Sequence, residues 1–490
     1  MRRAAARLLA YGLALALAAA GAGAGTAARA PTFAAAGRDA TSALLQVWYA
    51  GNGLWHVCNA PDCSSGNGDW GDDSMTYTLA LRYEATHDSS LLAPLEALIQ
   101  TAPLYPGPCT SVDGCSSWSD VPAWDAIAAM DIYEATGDSQ ALTKAETAFA
   151  YDEQSSAYAL GACPRIRYQQ PGGRDNHLKT LETDANAIKA ALLLYRATKQ
   201  PGYLTAARAR YDAVRTYFLD PHLPLYSVYV FDDGTTCTQV PHRFFASVNG
   251  DMIWSGLELS RDTGVGAYRT QAVATAKAVA SDLSDPRGVF ADLQAENDIV
   301  EPLVEGMKAL ADDGQSFART WILDNAAAAF AARGTDGSFG RFFDGPPPAT
   351  TVTEWQTNGG LALEIAAAAL APRQTVTAAT WRAAVQRATD VSTLPATITF
   401  RGSGVALLGT LGEQCCEPGH ARVLVDGRET VDHTGIWQNK SSSGRSIAGT
   451  VLFAWRWPTP GKHTLTFLPG LPNGKEGGPY LHLTGYEVIR

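Results

Sequence analysis

The sequence predicts a mainly helical protein, built as a ring or stack of helical hairpins, that ends in an all-β sandwich. Three observations favour this fold class. A short phrase recurs near the ends of several predicted helices, apolar residues follow helical spacing, and the pattern changes to short strands after Pro372. The chain has 490 residues, more than one typical globular domain, so we expect at least two hydrophobic cores.

The first thirty residues have the three-part layout of a secretory signal peptide. Three arginines, Arg2, Arg3 and Arg7, precede an apolar run over 8–20. Small residues then lead to Ala28-Arg29-Ala30. An uncleaved membrane anchor is the alternative, but the apolar run is shorter than the ~20 residues that a span needs. We therefore expect a secreted protein that does not insert into a membrane after cleavage of the signal.

The charge balance restricts the partners. The formal net charge is -11 and the isoelectric point is about 5.3, whereas binding to nucleic acid requires a basic surface. We expect no nucleic-acid partner. The sequence leaves the oligomeric state open.

Eight cysteines in an exported chain favour disulfides. Short spacing favours pairing of Cys58 with Cys63 and of Cys109 with Cys115. Of the remaining four cysteines, we expect Cys163 to pair with Cys237, which leaves Cys415 and Cys416. A zinc site is the competing interpretation, but no CxxC pair and no nearby pair of histidines supports it, so we expect no metal.

The helical part is predicted over residues 40–372. The phrase Tyr-x-Ala-Thr, degenerate in its last copy, places threonines at Thr86, Thr136, Thr198 and Thr263. These spacings fit one helical hairpin and a variable loop per repeat.

The C-terminal part is predicted over residues 373–490. A short helix-like stretch over 378–389 comes first. Runs of strand length with β-branched and aromatic residues follow, and several such strands at regular spacing are typical of a sandwich. These runs lie at 397–400, 404–409, 421–427, 451–455 and 463–467.

Two aspartate-rich helix starts are candidates for catalysis. Asp72 and Asp73 follow Trp70. Asp120 lies between Trp118 and Trp124, and Asp125 directly follows Trp124. Glycosidic cleavage needs one carboxyl group that protonates the leaving oxygen, another that attacks carbon or activates water, and aromatic faces that hold sugar rings. The alternative for each aspartate is a helix N-cap.

Two further helix starts carry candidate sugar contacts. Glu182 and Asp184 open one helix, and Glu354 with Trp355 opens another. Capping and surface roles are the alternative for the first two residues.

The order of these motifs resembles glycoside hydrolase family 76 over roughly residues 45–370. The resemblance rests on the Trp-rich aspartate motif, the Ala-Thr-Gly-Asp phrase, and segments 181–195 and Val248-Asn249-Gly250. It implies an (α/α)6 barrel, α-1,6-mannanase activity, and an adjacent pair of aspartates that serve as nucleophile and acid/base. It also includes Asn249 among the candidate sugar contacts.

The chain departs from the family pattern at the catalytic pair. Counting back from the phrase that ends at Asp138 places Asp120 on the first family aspartate and Val121 on the second, with Asp125 on a signature tryptophan. An intact Asp-Asp pair, Asp72 and Asp73, lies one repeat earlier. The acid has moved, catalysis is lost, or the chain represents a sister family, which is the interpretation we favour.

The sequence therefore predicts a secreted glycoside hydrolase with an (α/α)6 barrel and a C-terminal sandwich that resembles the jelly-roll modules of carbohydrate-active enzymes. We expect it to cleave mannan-type or related cell-envelope polysaccharide, as an endo-α-1,6-mannanase-like enzyme. Asp120 is the first candidate carboxylate, with its partner among Asp125, Asp73 and Asp72. A non-catalytic glycan-binding barrel and a hydrolase or lyase of uronic-acid polymers are the alternatives. No Gly-rich phosphate loop is present in a β-α setting, so we expect no cofactor.

Overall fold

The computed structural model describes most of the chain from residue 30 onwards. It confirms the predicted fold class, a ring of helical hairpins followed by a β-sandwich. The signal-peptide prediction and the cysteines at 109, 115, 415 and 416 lie outside the described residues. The described residues are 30–105, 118–153, 161–168, 177–241, 243–291, 298–377, 380–381, 385–387, 394–412, 419–430, 436–438, 443, 445–469 and 483–490.

Twelve α-helices within the described residues form an inner and an outer ring. The even-numbered helices form the inner ring: each packs against the next, and α12 packs against α2 to close it. The odd-numbered helices pack outside. The helices are α1 Phe33–Ala43, α2 Trp70–Thr86, α3 Leu92–Thr101, α4 Val121–Thr136, α5 Ser139–Glu153, α6 Leu181–Thr198, α7 Pro201–Phe218, α8 Ala246–Thr263, α9 Gly266–Asp282, α10 Glu301–Asp312, α11 Ser316–Ala332 and α12 Glu354–Leu370.

The repeated threonine phrase ends four inner helices. Each threonine hydroxyl donates to the carbonyl four residues earlier, for example Thr136 to Ile132 at 2.6 Å and Thr198 to Leu194 at 2.7 Å. The same oxygen accepts the amide two residues later, and the residue between them is left-handed, as at Gly137. The phrase is therefore a helix-termination motif.

A buried ionic cluster joins three inner helices inside the ring. The Lys189 ammonium on α6 lies 3.1 Å from an Asp251 carboxylate oxygen on α8 and forms an ion pair with Glu305 on α10. All three residues are buried. Burial raises the pKa of Asp251 to about 6, and the Lys189 charge opposes that rise.

Two small antiparallel sheets lie in the connections before inner helices. The first has the order β1-β2-β3 and the second β4-β5-β6. Disulfides join Cys58 to Cys63 and Cys163 to Cys237, which confirms those two predicted pairs. These strands are β1 Tyr49–Gly51, β2 Leu54–His56, β3 Ser65–Gly66, β4 Leu178–Thr180, β5 Tyr229–Asp232 and β6 Cys237–Gln239.

A long antiparallel strand pair, β8 with β12, organises the C-terminal sandwich. Strands β8 and β12 pair along most of their length, with a register shift between Arg456 and Gly461 that divides the pairing into two halves. Strand β9 pairs with one half of β12, and β13 pairs with the other half of β8. Both halves contribute to one apolar core. The strands are β7 Val385–Arg387, β8 Ala396–Leu411, β9 Gly419–Val425, β10 Arg428–Glu429, β11 Ile436–Gln438, β12 Ile447–Pro469 and β13 Leu483–Ile489.

The two cores meet at the loop between α11 and α12. Phe342 belongs to the sandwich core, and the Asp344 carboxylate pairs with Arg287 of the barrel and with Arg456 of β12. The predicted helix-like stretch at 378–389 is wrong in its C-terminal part, because residues 385–387 pair with β13 as a strand. Among the described residues, no helix combines the length and apolarity that a membrane span requires.

Candidate active site

The first turns of the inner helices meet at one end of the barrel. Since each outer helix returns the chain, all inner helices run in the same direction and their N-termini share one mouth. The positive end of a helix dipole favours carboxylates there. Buried acids occupy or precede these first turns: Asp72, Asp73, Asp120, Glu182, Asp298, Glu301 and Glu354.

The first acidic group lies between α2, α4 and α12. It brings together three predicted candidates, Asp72, Asp73 and Asp125, all nearly inaccessible to solvent. Burial raises the pKa of Asp72 and of Asp73 well above the usual range. Repulsion from Asp69 on Asp72, and from Asp125 on Asp73, adds to the rise. Within the described residues, one carboxylate oxygen of each candidate has no hydrogen-bond partner. The group is therefore able to hold protons near neutral pH.

Tyr105 positions the third member of this group. Its hydroxyl donates a hydrogen bond to Asp125, and this bond opposes the effect of burial, which raises the pKa of Asp125 to about 7. Gly68 lies alongside with a φ of +110°, and a Cβ there would be 3.2 Å from Oδ1 of Asp125. Tyr105 was not among the candidates from sequence, because it lies in a loop twenty residues before its partner.

Two candidate tryptophans stack beside this group. The rings of Trp70 and Trp355 are 5.0 Å apart at an interplanar angle of 22°. Asp69, the N-cap of α2, accepts hydrogen bonds from the Gly71 amide at 2.7 Å and from the Trp355 indole at 3.3 Å. The pair is half-buried and forms an aromatic wall at the mouth.

Gly71 allows α2 to approach α12 at this wall. A Cβ there would lie 2.5 Å from the Glu354 carboxyl carbon and 2.7 Å from the Trp355 ring. We expect Gly71→Ala to displace both side chains and to cost about 1–3 kcal/mol of stability, as overpacking does. Denaturant unfolding with Gly202→Ala as control would measure it, since a Cβ at Gly202 meets no atom within 4 Å. Equal effects of the two changes would contradict the close packing.

The second acidic group lies between α4, α6 and α8. Asp120 precedes α4 and Glu182 lies in the first turn of α6, and both are buried. Burial raises the pKa of Asp120 to about 7. Burial also raises the pKa of Glu182 well above its usual range. Repulsion from Asp120 and, to a smaller extent, from Asp298 raises it further. Burial thus favours the protonated form of both carboxyl groups, which suits a site where one of them donates a proton.

Asp120 does not act as a helix cap. It occupies the N-cap position of α4, but its side chain makes no capping hydrogen bond, and its backbone is already in the right-handed helical region. Within the described residues, its Oδ2 is buried without a hydrogen-bond partner. The N-cap alternative is therefore wrong for Asp120. Asp125, one turn further, faces the first acidic group instead.

Basic residues that the sequence did not single out support the second group. The Arg243 charge lowers the pKa of Glu182 against the effect of burial. Asp298 accepts the Ala246 and Ser247 amides and so caps α8 from outside the helix, while Arg341 donates to the Asp298 carbonyl. Only tertiary contacts reveal these roles.

The placement of two predicted sugar contacts does not support direct binding. Asp184 is fully buried and pairs with Arg167 at 3.5 Å and Arg210 at 3.6 Å. Asn249 is fully buried, and its side-chain amide forms hydrogen bonds with main-chain groups of Tyr226 and Phe245. Both side chains fix the barrel wall.

The remaining predicted residues lie near the acids. Trp124 is buried and its hydrogen bond to Asp120 lowers the pKa of that carboxyl group. Trp118 is 36% exposed two residues before Asp120. Glu354 is fully buried, and its side-chain hydrogen bond with Asp72 lowers the pKa of that carboxyl group.

Comparison with solved structures identifies the barrel fold. An α-1,6-mannanase of glycoside hydrolase family 76 from Salegentibacter sp. HEL1_6 is 19% identical with a TM-score of 0.59, covering 69% of this chain and 99% of that one. It is an inactive variant, with two adjacent aspartates replaced by alanine, in complex with α-1,6-mannotetrose.

Two further solved structures share the same barrel fold. A family 76 α-mannanase from Bacteroides thetaiotaomicron is 18% identical, with a TM-score of 0.57, and the match covers 69% of this chain and 95% of that one. A Dfg5 protein from Chaetomium thermophilum in complex with glucosamine is 14% identical, with a TM-score of 0.53, covering 69% and 89%. No known family model matches the chain, and no curated protein does.

The fold is thus the helical barrel of glycoside hydrolase family 76. At these identities the likeness is one of fold.

Proposed function

We propose that the protein is a secreted glycoside hydrolase that cleaves mannan-type polysaccharide with two carboxyl groups. The observation that carries the proposal is the Asp120–Glu182 group: two buried acids on neighbouring inner helices, both with raised pKa values, at the mouth of the barrel. Such a pair supplies a proton donor and a carboxylate near neutral pH.

The surroundings of Glu182 assign the roles. Burial and repulsion from Asp120 and Asp298 favour the protonated form of Glu182, so Glu182 donates a proton to the leaving glycosidic oxygen. Asp120 loses its proton near pH 7 and, as a carboxylate, attacks the anomeric carbon or activates water. Thr180 donates a hydrogen bond to Glu182 at 3.1 Å and fixes its orientation. Glu182 thus takes the place of the second family aspartate, where this chain has Val121.

The Asp72, Asp73 and Asp125 group is the alternative source of the second carboxyl group. In the Salegentibacter enzyme the inactive variant lacks two adjacent aspartates, and Asp72–Asp73 is an adjacent pair at an inner-helix start here. Under our assignment this group binds sugar hydroxyls, together with the Trp70–Trp355 wall.

The substrate class follows from the fold and the aromatic surfaces. The barrel shares its fold with enzymes that act on α-1,6-mannan, and Trp118, Trp70 and Trp355 offer ring faces to sugars. An exported protein with this site would meet polysaccharide outside the cell.

The test is release of sugar from α-1,6-mannan by the purified full-length protein. Chromatography of the products should show mannooligosaccharides. Binding without release would instead support the non-catalytic glycan-binding barrel. Unsaturated products from a uronic-acid polymer, with mannan left intact, would support the lyase.

A further inference from the structure

A cationic groove lies over the paired segments of β8 and β12. It encloses about 840 Å³ and is lined by residues 399–402 and 460–462 together with Val488 and Arg490. We call this the β8–β12 groove. Among the described side chains that line it none is acidic, although the protein as a whole carries a net charge of -11.

Two like charges face each other in this groove. Arg401 on β8 and Lys462 on β12 are directly opposed in the antiparallel register, and both are exposed. Like charges at opposed positions destabilise a strand pair. The fold itself gains nothing from this arrangement.

Nearby acids in the described part of the sandwich are engaged elsewhere. The Asp426 carboxylate lies 2.8 Å from the His463 ring and accepts the Thr464 amide at 2.9 Å. Glu429 pairs with Arg422. Within the described residues, no ion pair neutralises Arg401 or Lys462, so an anion from outside would relieve their repulsion.

We propose that the β8–β12 groove binds the anionic groups of a polysaccharide, either carboxylates or phosphates. The Arg401 guanidinium offers the planar fork that binds either group through two hydrogen bonds, and Lys462 adds a second charge at the opposed position. Thr399 and Thr464 are opposed two positions further along the same strands, on the same face as Arg401 and Lys462, and a groove that follows strands suits a chain-like ligand. The sandwich then holds the enzyme on an anionic polymer of the cell envelope.

The inference rests on the sandwich alone, so it is independent of the proposed hydrolysis. The experiment measures binding of full-length protein to polygalacturonate, to poly(glycerol phosphate) and to neutral α-1,6-mannan by calorimetry. We expect binding to at least one polyanion, weakening as salt is added. The polymer that binds identifies the anionic group.

Matched variants make the test specific. Arg401→Gln and Lys462→Gln should each weaken polyanion binding by about tenfold, a loss typical of one charge-assisted contact. Arg428→Gln removes one exposed charge from β10 of the same module and should leave binding unchanged. Equal losses in all three variants, or no binding to either polyanion, would overturn the proposal. The melting temperature of Arg401→Gln should not fall, which separates lost binding from lost folding.

Discussion

Asp120→Asn is expected to lower turnover of α-1,6-mannooligosaccharides by about 10²–10⁴-fold or more, the contribution of a positioned proton-transfer group. The substitution keeps the volume and removes the charge. Folding should not suffer, because the Asp120 side chain caps no helix and makes no capping hydrogen bond. Steady-state kinetics and a thermal melt of the same sample would measure both effects.

The pH dependence gives this prediction a second signature. Asp120 must be ionised to act, and burial raises its pKa to about 7, so kcat/KM should rise with pH up to about 7. The pH dependence of folding stability has the opposite direction. A carboxyl group whose pKa is raised on folding stabilises the folded state most at low pH, and this contribution disappears as pH rises from about 4 through about 7. Asp120→Asn should therefore be more stable than the wild type above pH 7.

Two matched substitutions separate the possible partners of Asp120. Glu182→Gln should match the loss of Asp120→Asn, because it removes the proton donor. Asp125→Asn removes a carboxylate whose pKa is also raised to about 7, from the other acidic group, and should cost much less turnover. The reverse order would transfer catalysis to the Asp72, Asp73 and Asp125 group.

The repeat phrase made the barrel predictable from sequence. Each threonine donates a hydrogen bond to the carbonyl four residues earlier and precedes a left-handed residue, and this motif involves only local contacts. Its recurrence therefore marks helix ends, at Thr86, Thr136, Thr198 and Thr263. The sandwich was predictable because its strands alternate buried and exposed residues, as in β8 from Ala396 to Gly402.

The candidate site was only partly predictable. Asp120, Asp125 and Glu182 are visible in the sequence as acids at helix starts. Asp125 follows Asp120 by five residues, however, and therefore faces Asp72 and Asp73, whereas Asp120 lies beside Glu182. Asp184 and Asn249 have the same local sequence pattern as the residues that we assign to the candidate site. Their burial in ion pairs and main-chain hydrogen bonds depends on segments far along the chain, including Arg210 and Tyr226.

Breaking the buried Lys189 cluster should destabilise the barrel strongly. Lys189→Met would leave the Asp251 and Glu305 carboxyl groups buried without their counter-charge, which costs about 3–5 kcal/mol. Lys308→Met is the matched control, because Lys308 pairs at 2.6 Å with Asp312, whose side chain is 51% exposed, and such pairs contribute about 1 kcal/mol or less.

Urea unfolding at two pH values would test this difference. The Asp251 carboxyl group has a pKa of about 6 with Lys189 present, and removing that charge raises the pKa further. At pH 5 the unpaired acid is therefore largely neutral in the variant, and the cost of Lys189→Met should shrink relative to pH 8. The cost of Lys308→Met should stay small at both values. A Lys189→Met cost that is as small as that of Lys308→Met at pH 8 would show that the inner ring does not depend on the buried charges.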